Sequence, residues 1–377
     1  MFDWPLMVGN ATREDVRDVV NFLQAGDEVP RLTNGAQVRS FEAEFAAYIG
    51  TRYACMVNSG ASANMVTMAA LKHLYGYGRV MVPVLAWVSD ITAIMHAGLE
   101  PEFCDIEPDT LGMKAPADCT GFLAAMAVHC LGFRCDLPAV RVIEDCCEAL
   151  GAEHGGAKLG SFGLASNFSF YYSHHITTVE GGMICTNDAE FYETCRMLRG
   201  HGLLRECSDA DYRQNIEQSF PDLDPQFIFV MPGFNVRPTE IQAVMGRSQL
   251  KRLEENVAAR GANLRLFLSA LDPALYRTQY RVEGSSSFAL PLVLNHPDSG
   301  LMNCVISLLQ ASGIEYRRGT VGGGNQLRHP YLRSLYGDRY KDFPQAEHAH
   351  HFGLFVGNYP SLETWKIEAL TEKLNKL

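Results

Sequence analysis

The sequence predicts an α/β protein with a large domain built on a mostly parallel, mixed sheet and a smaller C-terminal α+β domain. Its 377 residues, 47% of them hydrophobic, suffice for a large buried core and suggest two domains. Short apolar strands alternate with helical segments along most of the chain, which is typical of a parallel sheet covered by helices. This alternation ends near residue 245, where we place the boundary between residues 1–245 and 246–377.

The chain is predicted to begin with two helices. The stretch "ATREDVRDVVNFLQAG" has apolar residues at helical spacing and Thr12 as its cap, and "VRSFEAEFAAYIG" reads as a helix ended by Gly50. A strand, "YACMV", and a turn that leads into a helix, "NSGASANMVTMAALKHLY", come next.

Six more apolar stretches are predicted strands: "RVMVPVLAW", "EPEFCDI", "AAMAVHCL", "RVIEDCC", "SNFSFYY" and "GGMICTN". After them the pattern indicates one long helix over "RPTEIQAVMGRSQLKRLEENVAARGANLRLFLSAL", and then mixed strands and helices such as "SFALPLVL" and "LMNCVISLLQASG". In open α/β sheets chemistry gathers at the carboxyl ends of the strands, so the residues that follow each strand are the candidates for function.

Composition excludes several classes of protein. A net charge of −11 without a Lys/Arg run argues against nucleic acid as a partner. No apolar stretch approaches the roughly twenty residues of a membrane span, and the N-terminus lacks a signal-peptide pattern, so we expect a cytoplasmic protein. The 11 cysteines have no regular spacing and are expected to be reduced and mostly buried.

A turn of small residues is a candidate anion site. Gly60, Ala61 and Ser62 lie between a predicted strand and a helix, where backbone N–H groups and the helix N-terminus favour a single phosphate. The alternative is a turn that caps the helix and binds nothing. The pattern is neither a Walker loop nor a dinucleotide-binding motif.

An acidic strand end is a second candidate. Asp145 follows an apolar strand, and a buried carboxylate needs a cation, such as a protonated pyridine nitrogen. The alternatives are an ion pair or a helix cap. A metal site from Cys146, Cys147 and Glu148 is disfavoured because adjacent cysteines point apart on an extended chain.

The other clusters give weaker signals. The histidines of "EHAHHFG" could bind a metal or could form a solvated or packed helix end, which we favour, and Cys130 and Cys135 have the wrong spacing for a zinc knuckle, so we predict no metal. Arg317 and Arg328 flank a glycine-rich loop, where they could bind an anionic ligand or lie in solvent.

Several linked motifs resemble one known family over nearly the whole chain. They are "LTNGAQVRSFEAEFAAYIG", "VNSGASAN", "VIEDCCEALGA", "GSFG", "ITTVEGGMICTND", "LRGHGL" and "GFNVRPTEIQAVMGRSQLKRLEE". In this order they resemble the DegT/DnrJ/EryC1/StrS sugar aminotransferases. The resemblance implies an aspartate-aminotransferase-like fold of type I and the cofactor pyridoxal phosphate (PLP).

The resemblance assigns a role to each matching residue. It implies that Asp145 pairs with the ring nitrogen of the cofactor, that Trp87 stacks on the ring and that Glu148 lies against it. It also implies a homodimer with shared active sites, in which the partner subunit supplies Asn235 to the phosphate and Arg237 to the substrate. The groups that would hold the cofactor phosphate are the backbone amides of Gly60, Ala61 and Ser62 and the hydroxyl of Ser169.

At residue 174 the sequence departs from the aminotransferases. Before the "ITTVEGG" motif the aminotransferases carry the lysine that binds the cofactor covalently, whereas this chain has His174 and His175. No lysine occurs between Lys158 and Lys251, so no shift of register restores one. Imidazole forms no stable imine but moves protons near neutral pH. We therefore expect non-covalent PLP with His174 as the base and His175 in a structural role.

The His-His pair resembles the 4-keto-6-deoxy-sugar 3-dehydratase branch of the family, and so do "GIEYRRGTVGGGNQLRHP" and "HFGLFVGNYPSL". One type of dehydratase carries an iron–sulfur cluster on four cysteines. Here only Cys207 lies in the corresponding region, so we expect no cluster. The remaining type acts on GDP-4-keto-6-deoxymannose. However, "RGHGLLRE" reads more like the aminotransferases.

The expected reaction removes the C3 hydroxyl of a nucleotide-linked 4-keto-6-deoxy sugar. L-glutamate would supply an amino group that converts PLP to pyridoxamine phosphate (PMP), and ammonia would be released. His174 would move the protons, and His201 is a weaker candidate for substrate contact. The alternatives are a sugar aminotransferase that uses His174 as base and a non-catalytic protein that binds PLP or a nucleotide sugar.

Overall fold

The computed structural model describes residues 3–377. Within them twelve α-helices alternate with twelve strands. The strands are β1 (Tyr53–Val57), β2 (Arg79–Pro83), β3 (Glu100–Cys104), β4 (Phe122–Val128), β5 (Val142–Asp145), β6 (Glu153–His154), β7 (Ala157–Lys158), β8 (Ala165–Ser169), β9 (Gly182–Thr186), β10 (Ala289–Val293), β11 (Tyr316–Arg318) and β12 (Gly353–Gly357).

The helices pack on both sides of the main sheet and around the C-terminal strands. They are α1 (Arg13–Leu23), α2 (Ala36–Ile49), α3 (Gly60–Tyr75), α4 (Val88–His96), α5 (Ala189–Arg199), α6 (Ala210–Ser219), α7 (Glu240–Leu250), α8 (Leu253–Ala270), α9 (Ser299–Ser312), α10 (Pro330–Tyr336), α11 (Pro344–Phe352) and α12 (Thr364–Leu374).

The main sheet has seven strands in the order β1-β9-β8-β5-β4-β2-β3. Strand β9 runs antiparallel to both of its neighbours, and the other pairs are parallel, so the expected mostly parallel, mixed sheet is confirmed. A three-stranded antiparallel sheet, β10-β12-β11, forms the C-terminal part. The carboxyl ends of β5 and β8 therefore lie side by side.

Local sequence explains where the first helices begin and end. Thr12 caps α1 in a capping box with Asp15, as the sequence predicts. Helix α2 ends at Gly50, whose φ of 86° lies in the left-handed region that favours glycine. The predicted strand "RVMVPVLAW" ends earlier, at Pro83, and the residues after it lead into α4 with Trp87 at its N-cap.

The single long helix predicted after residue 236 is wrong. The structure has two helices, α7 and α8, with a break at Lys251 and Arg252. Arg252 leaves the helical conformation (φ −114°, ψ 7°), and its guanidinium binds the carboxylate of Asp15 and the carbonyl of Asn10. Helix α7 packs against α1 and α2, whereas α8 packs against α12 and β10. The domain boundary at residue 245 stays a prediction.

The N-terminal arm connects the three-stranded sheet with the seven-stranded sheet. Trp4 is buried in the C-terminal part, where its Nε1 donates to the carbonyl of Gly357 at 2.9 Å. A few residues later, Asn10 donates from Nδ2 to the carbonyl of His174 at 2.5 Å. The arm thus spans from the small sheet to the loop after β8.

A buried ion pair ties α2 and α5 to β1. Arg199 donates from Nη1 to Glu42 Oε1 at 2.7 Å and to the carbonyl of Met56 at 2.8 Å. Because removal of one partner leaves the other charge unpaired in the core, Glu42→Ala is expected to lower the free energy of unfolding by about 3–5 kcal/mol, measured by chemical denaturation. The matched control is Glu44→Ala on the same helix, whose pair with Arg247 is partly exposed and contributes less than about 1 kcal/mol. Equal losses from both substitutions would contradict this prediction.

No helix among residues 3–377 has the length and apolar character needed to cross a membrane.

Candidate active site

A cleft of about 310 Å³ opens at the carboxyl ends of β5 and β8, beside the N-terminus of α3. Its walls bring together eight of the residues expected from the sequence. They are Gly60, Ala61, Trp87, Asp145, Glu148, Ser169, His174 and Arg317. Parallel strands end at this edge, so residues far apart in the chain converge there.

One end of the cleft is suited to an anion. Ser59 caps α3 by accepting the N–H of Ser62 at 3.0 Å, so that amide is already used, and Ser62 does not line the cleft. The first-turn amides of Gly60 and Ala61 have no intrahelical acceptor and carry the positive potential of the helix end. A Cβ on Gly60 would lie 2.6 Å from the Cβ of Ser169, so only glycine brings this backbone so close to β8.

The cleft also holds a carboxylate in a defined orientation. Asp145, at the end of β5, is 5% exposed. Its Oδ1 accepts the N–H of Cys147 at 2.9 Å, and its Oδ2 accepts Nδ2 of Asn64 at 3.0 Å. These donors fix the orientation of the carboxyl group, which can then face a cation in the cleft.

Two further side chains flank the space between these ends. Trp87 is half exposed, so its ring is available to a flat ligand. Glu148 accepts the N–H of Leu131 at 2.8 Å, and burial raises the pKa of its carboxyl group to about 7. Glu148 can therefore be partly protonated near neutral pH, so it adds less than a full negative charge to the cleft.

His174 is held as a neutral base. Its Nδ1 lies 2.6 Å from the carbonyl oxygen of Cys147, and since a carbonyl only accepts, Nδ1 carries the hydrogen. Nε2 is then the nitrogen with a free lone pair. The ring packs against Phe288 at a centroid distance of 5.1 Å. Burial lowers the pKa of His174 to about 4.

His175 points the other way. It is 1% exposed and its Nε2 donates to the carbonyl of Ser286 at 3.0 Å. Its ring also contacts Phe288, at 5.9 Å between centroids. The two histidines thus both contact the 286–288 segment, but of the two only His174 lines the cleft.

The lowered pKa values of the two histidines predict an acid-sensitive fold. Burial holds both imidazoles neutral in the folded protein, whereas in the unfolded chain each titrates near pH 6.5. As the pH falls from about 6.5 towards 4, the unfolded chain takes up protons that the folded chain does not. The free energy of unfolding therefore falls by up to about 1.4 kcal/mol per pH unit for each histidine. Chemical denaturation at several pH values in this range should give a shallower slope of that free energy against pH for His174→Asn than for the natural chain. Equal slopes would refute the assignment.

A buried cluster behind Asp145 has ligand types that metals use. His129, Glu144 and Cys146 bring their donor atoms within 4.8 Å of one another. The carboxylate of Glu144 already has hydrogen-bond partners within the protein. Its two oxygens accept hydrogen bonds from Nε2 of His129 and from the N–H groups of Gly160, Phe162 and Gly163. The cluster therefore closes the 160–163 turn onto β5. That no metal is bound stays a prediction.

The profile of the DegT/DnrJ/EryC1/StrS aminotransferase family matches residues 11–375. The chain belongs to this family. The match covers nearly all of the described residues, so both sheets and the cleft are part of the family fold.

Three relatives of this family member are informative. A GDP-4-keto-6-deoxy-D-mannose 3-dehydratase from Yersinia pseudotuberculosis is 30% identical over 379 residues, 95% of each chain. A GDP-perosamine synthase from Caulobacter vibrioides is 32% identical over 277 residues, 69% of this chain and 68% of that protein. The crystal structure of a GDP-4-keto-6-deoxymannose-3-dehydratase with a trapped PLP–glutamate geminal diamine has a TM-score of 0.83, with 28% identity over 98% of this chain and 100% of that chain. The fold expected from the sequence is confirmed.

Besides Ser62, four residues that the resemblance or the loop pattern suggested lie outside the cleft of this chain. Asn235 is exposed and Arg237 is partly buried, and neither lines the cleft of its own subunit. His201 is exposed on a turn with a φ of 68°. Arg328 instead pairs with both carboxylate oxygens of Glu347 and stacks over Tyr340. Their roles stay predictions, and Arg328 is already engaged as an ion pair.

The sequence analysis missed several residues of the cleft. Met7 comes from the N-terminal arm and Phe288 from the start of the small sheet, and no local pattern connects them with β5. Cys147 contributes the carbonyl that orients His174. Asp90 resembles an ordinary cap because it occupies the third position of α4 and accepts the N–H of Trp87. Its burial, at 1% exposed, is visible only in the fold.

Proposed function

We propose that this protein is a 3-dehydratase that uses non-covalent PLP and PMP to remove the C3 hydroxyl of a nucleotide-linked 4-keto-6-deoxy sugar. The observation that carries the proposal is His174, a neutral imidazole that lines the cleft with a free Nε2. None of the described residues lining the cleft is a lysine, so an amine for covalent attachment is absent there.

The residues of the cleft fit PLP. The amides of Gly60 and Ala61 with the hydroxyl of Ser169 suit its phosphate, Trp87 suits its ring, and Asp145 suits its protonated ring nitrogen. When bound, the pyridinium ring supplies an electron sink for the carbon that bears the amino group. A trapped PLP–glutamate adduct in a related dehydratase supports both this cofactor and L-glutamate as the amino donor.

The chain's own residues then bind, orient and move protons. Asp145 keeps the ring nitrogen protonated, which a buried carboxylate does by stabilising the opposite charge. His174 would take a proton through Nε2 from the carbon that bears the amino group and would return it to the C3 hydroxyl, which leaves as water; the Cys147 carbonyl fixes the tautomer. Arg317, exposed at the rim of the cleft, suits the phosphates of a nucleotide sugar.

The proposal includes a homodimer. Asn235 and Arg237 lie outside their own cleft, which is what a role in the neighbouring subunit requires. Analytical ultracentrifugation tests the dimer. Mixing an inactive His174→Asn chain with an inactive Asn235→Ala chain tests the sharing of sites, because mixed dimers regain one complete site only if Asn235 acts across the interface.

The rival function is a sugar aminotransferase with His174 as its base. The 32% identity to a GDP-perosamine synthase supports this alternative over part of the chain. A non-catalytic protein that binds PLP or a nucleotide sugar is the remaining possibility.

Release of ammonia separates these functions. The protein is incubated with L-glutamate, PLP and each of a small panel of GDP-, dTDP- and UDP-linked 4-keto-6-deoxy sugars. A dehydratase releases ammonia and a 3-deoxy-4-keto sugar, an aminotransferase yields an amino sugar without ammonia, and a binding protein shows no turnover. An amino sugar as the sole product would overturn the proposal.

A further inference from the structure

In the wall of the cleft, two buried carboxyl groups accept hydrogen bonds from the same amide nitrogen. Nδ2 of Asn64 donates to Asp90 Oδ1 at 2.7 Å and to Asp145 Oδ2 at 3.0 Å. Asp90 is 1% exposed and Asp145 is 5% exposed. Asp90 comes from the first turn of α4, so the pair joins that helix to the end of β5.

The orientation of the Asn64 amide follows from its other contact. Its Oδ1 accepts Nδ2 of Asn167 at 2.8 Å, and Asn167 Oδ1 in turn accepts the hydroxyl of Thr67 at 2.7 Å. With Oδ1 occupied by a donor, Nδ2 must face the two carboxyl groups. Of the other two carboxyl oxygens, Asp90 Oδ2 accepts the N–H of Trp87 and Asp145 Oδ1 accepts the N–H of Cys147.

Acidic side chains surround Asp90. Within residues 3–377, the leading side chains that raise the pKa of Asp90, or whose own pKa its charge raises, are Asp145, Glu148, Cys130, Cys147 and Tyr331. Two carboxylates that share a buried site cannot both ionise without a large cost, so one of them keeps a proton.

We propose that Asp90 is a positioning residue that stays protonated and donates its O–H to Asp145. The proposal rests on the proposed function, since it assigns Asp145 to a cationic ring nitrogen. A protonated Asp90 leaves the pair with one negative charge, which matches one pyridinium. Its hydrogen bond also stabilises Asp145 as the anion, so the shared proton stays on the ring nitrogen instead of moving to the carboxylate.

The direction of the Asp90 pKa agrees with this arrangement. Burial raises the pKa of Asp90 well above its usual range, and the neighbouring Asp145 adds to the rise. Both groups line the cleft, and with Asp90 neutral it is Asp145 that carries the charge of the pair.

Infrared spectroscopy of the cofactor-free protein tests the protonation directly. The difference spectrum between the natural chain and Asp90→Asn at pH 7 should contain the carbonyl stretch of a protonated carboxyl group. The matched control is Asp118→Asn, because Asp118 lies in an exposed loop where hydrogen bonds from Thr120 lower the pKa of its carboxyl group. That control should show only the bands of an ionised carboxylate. An ionised carboxylate signal from Asp90 would overturn the proposal.

Binding of PLP tests the positioning role. The amide of Asp90→Asn can still donate to Asp145, so we expect a Kd within about threefold of the natural chain, whereas Asp90→Leu removes every polar contact and should weaken binding by about tenfold or more. Equal weakening by both substitutions would show that Asp90 acts as a second negative charge and would refute the proposal. If Asp90→Leu does not fold, the infrared spectrum and the Kd of Asp90→Asn still test whether Asp90 is protonated. A failure of the proposed function would appear instead as absent ammonia release with the infrared band intact.

Discussion

Replacing His174 by asparagine is expected to lower kcat for ammonia release by about 10²–10⁴-fold, the usual contribution of a general base. Asparagine can keep a hydrogen bond to the Cys147 carbonyl but has no lone pair that accepts a proton at neutral pH. Binding of PLP should change little, because His174 makes no bond to the cofactor in this proposal. The measurement is steady-state ammonia release together with PLP titration by absorbance.

The neighbouring histidine provides the matched control. His175→Asn loses the hydrogen bond to the Ser286 carbonyl, so it should lower stability by about 1–3 kcal/mol and leave the pH dependence of kcat unchanged. A His174→Asn protein with full dehydratase activity would mean that another group is the base.

The lysine variant tests the absence of covalent attachment. His174→Lys places an amine where the aminotransferases have one, so borohydride should fix PLP to the protein and dehydration should be lost. The natural chain treated in the same way should keep its mass. Fixation of cofactor to the natural chain in the absence of substrate would contradict the non-covalent proposal.

Asp145→Asn is expected to raise the Kd for PLP by about 10²–10³-fold, the equivalent of about 3–4 kcal/mol for an uncompensated buried charge. The amide keeps the size of the side chain but cannot neutralise a ring nitrogen that carries a proton. The control is Asp109→Asn, whose carboxylate pairs with Arg281 at the surface, and it should leave the Kd unchanged. A Kd for Asp145→Asn equal to that of the natural chain would show that Asp145 does not face the ring nitrogen.

The sequence predicts those parts of the fold in which local chemistry determines local structure. Thr12 and Gly50 are examples, because a capping hydroxyl and a left-handed glycine act within a few residues. The break between α7 and α8 is a counterexample. It depends on Arg252 reaching Asp15, a partner 237 residues away that no periodicity reveals.

The residues of the candidate site likewise differ in whether the sequence alone predicts them. Asp145 and His174 stand out in the sequence because each follows a strand and carries an unusual residue type for that place. Asp90 was missed because an acidic residue in the first turn of a helix is common, and its meaning depends on the carboxyl group opposite. Ser62 lost its expected free amide to Ser59, since a cap and a ligand compete for the same N–H.

The arm that begins at Trp4 has a practical consequence for producing the protein. Trp4 is only 1% exposed, whereas Leu377 is half exposed. An affinity tag placed directly before Trp4 would emerge beside this anchored tryptophan, on the segment that leads to the His174 carbonyl. A tag placed after Leu377 would leave that segment undisturbed, so it is the safer choice for obtaining protein for the assays above.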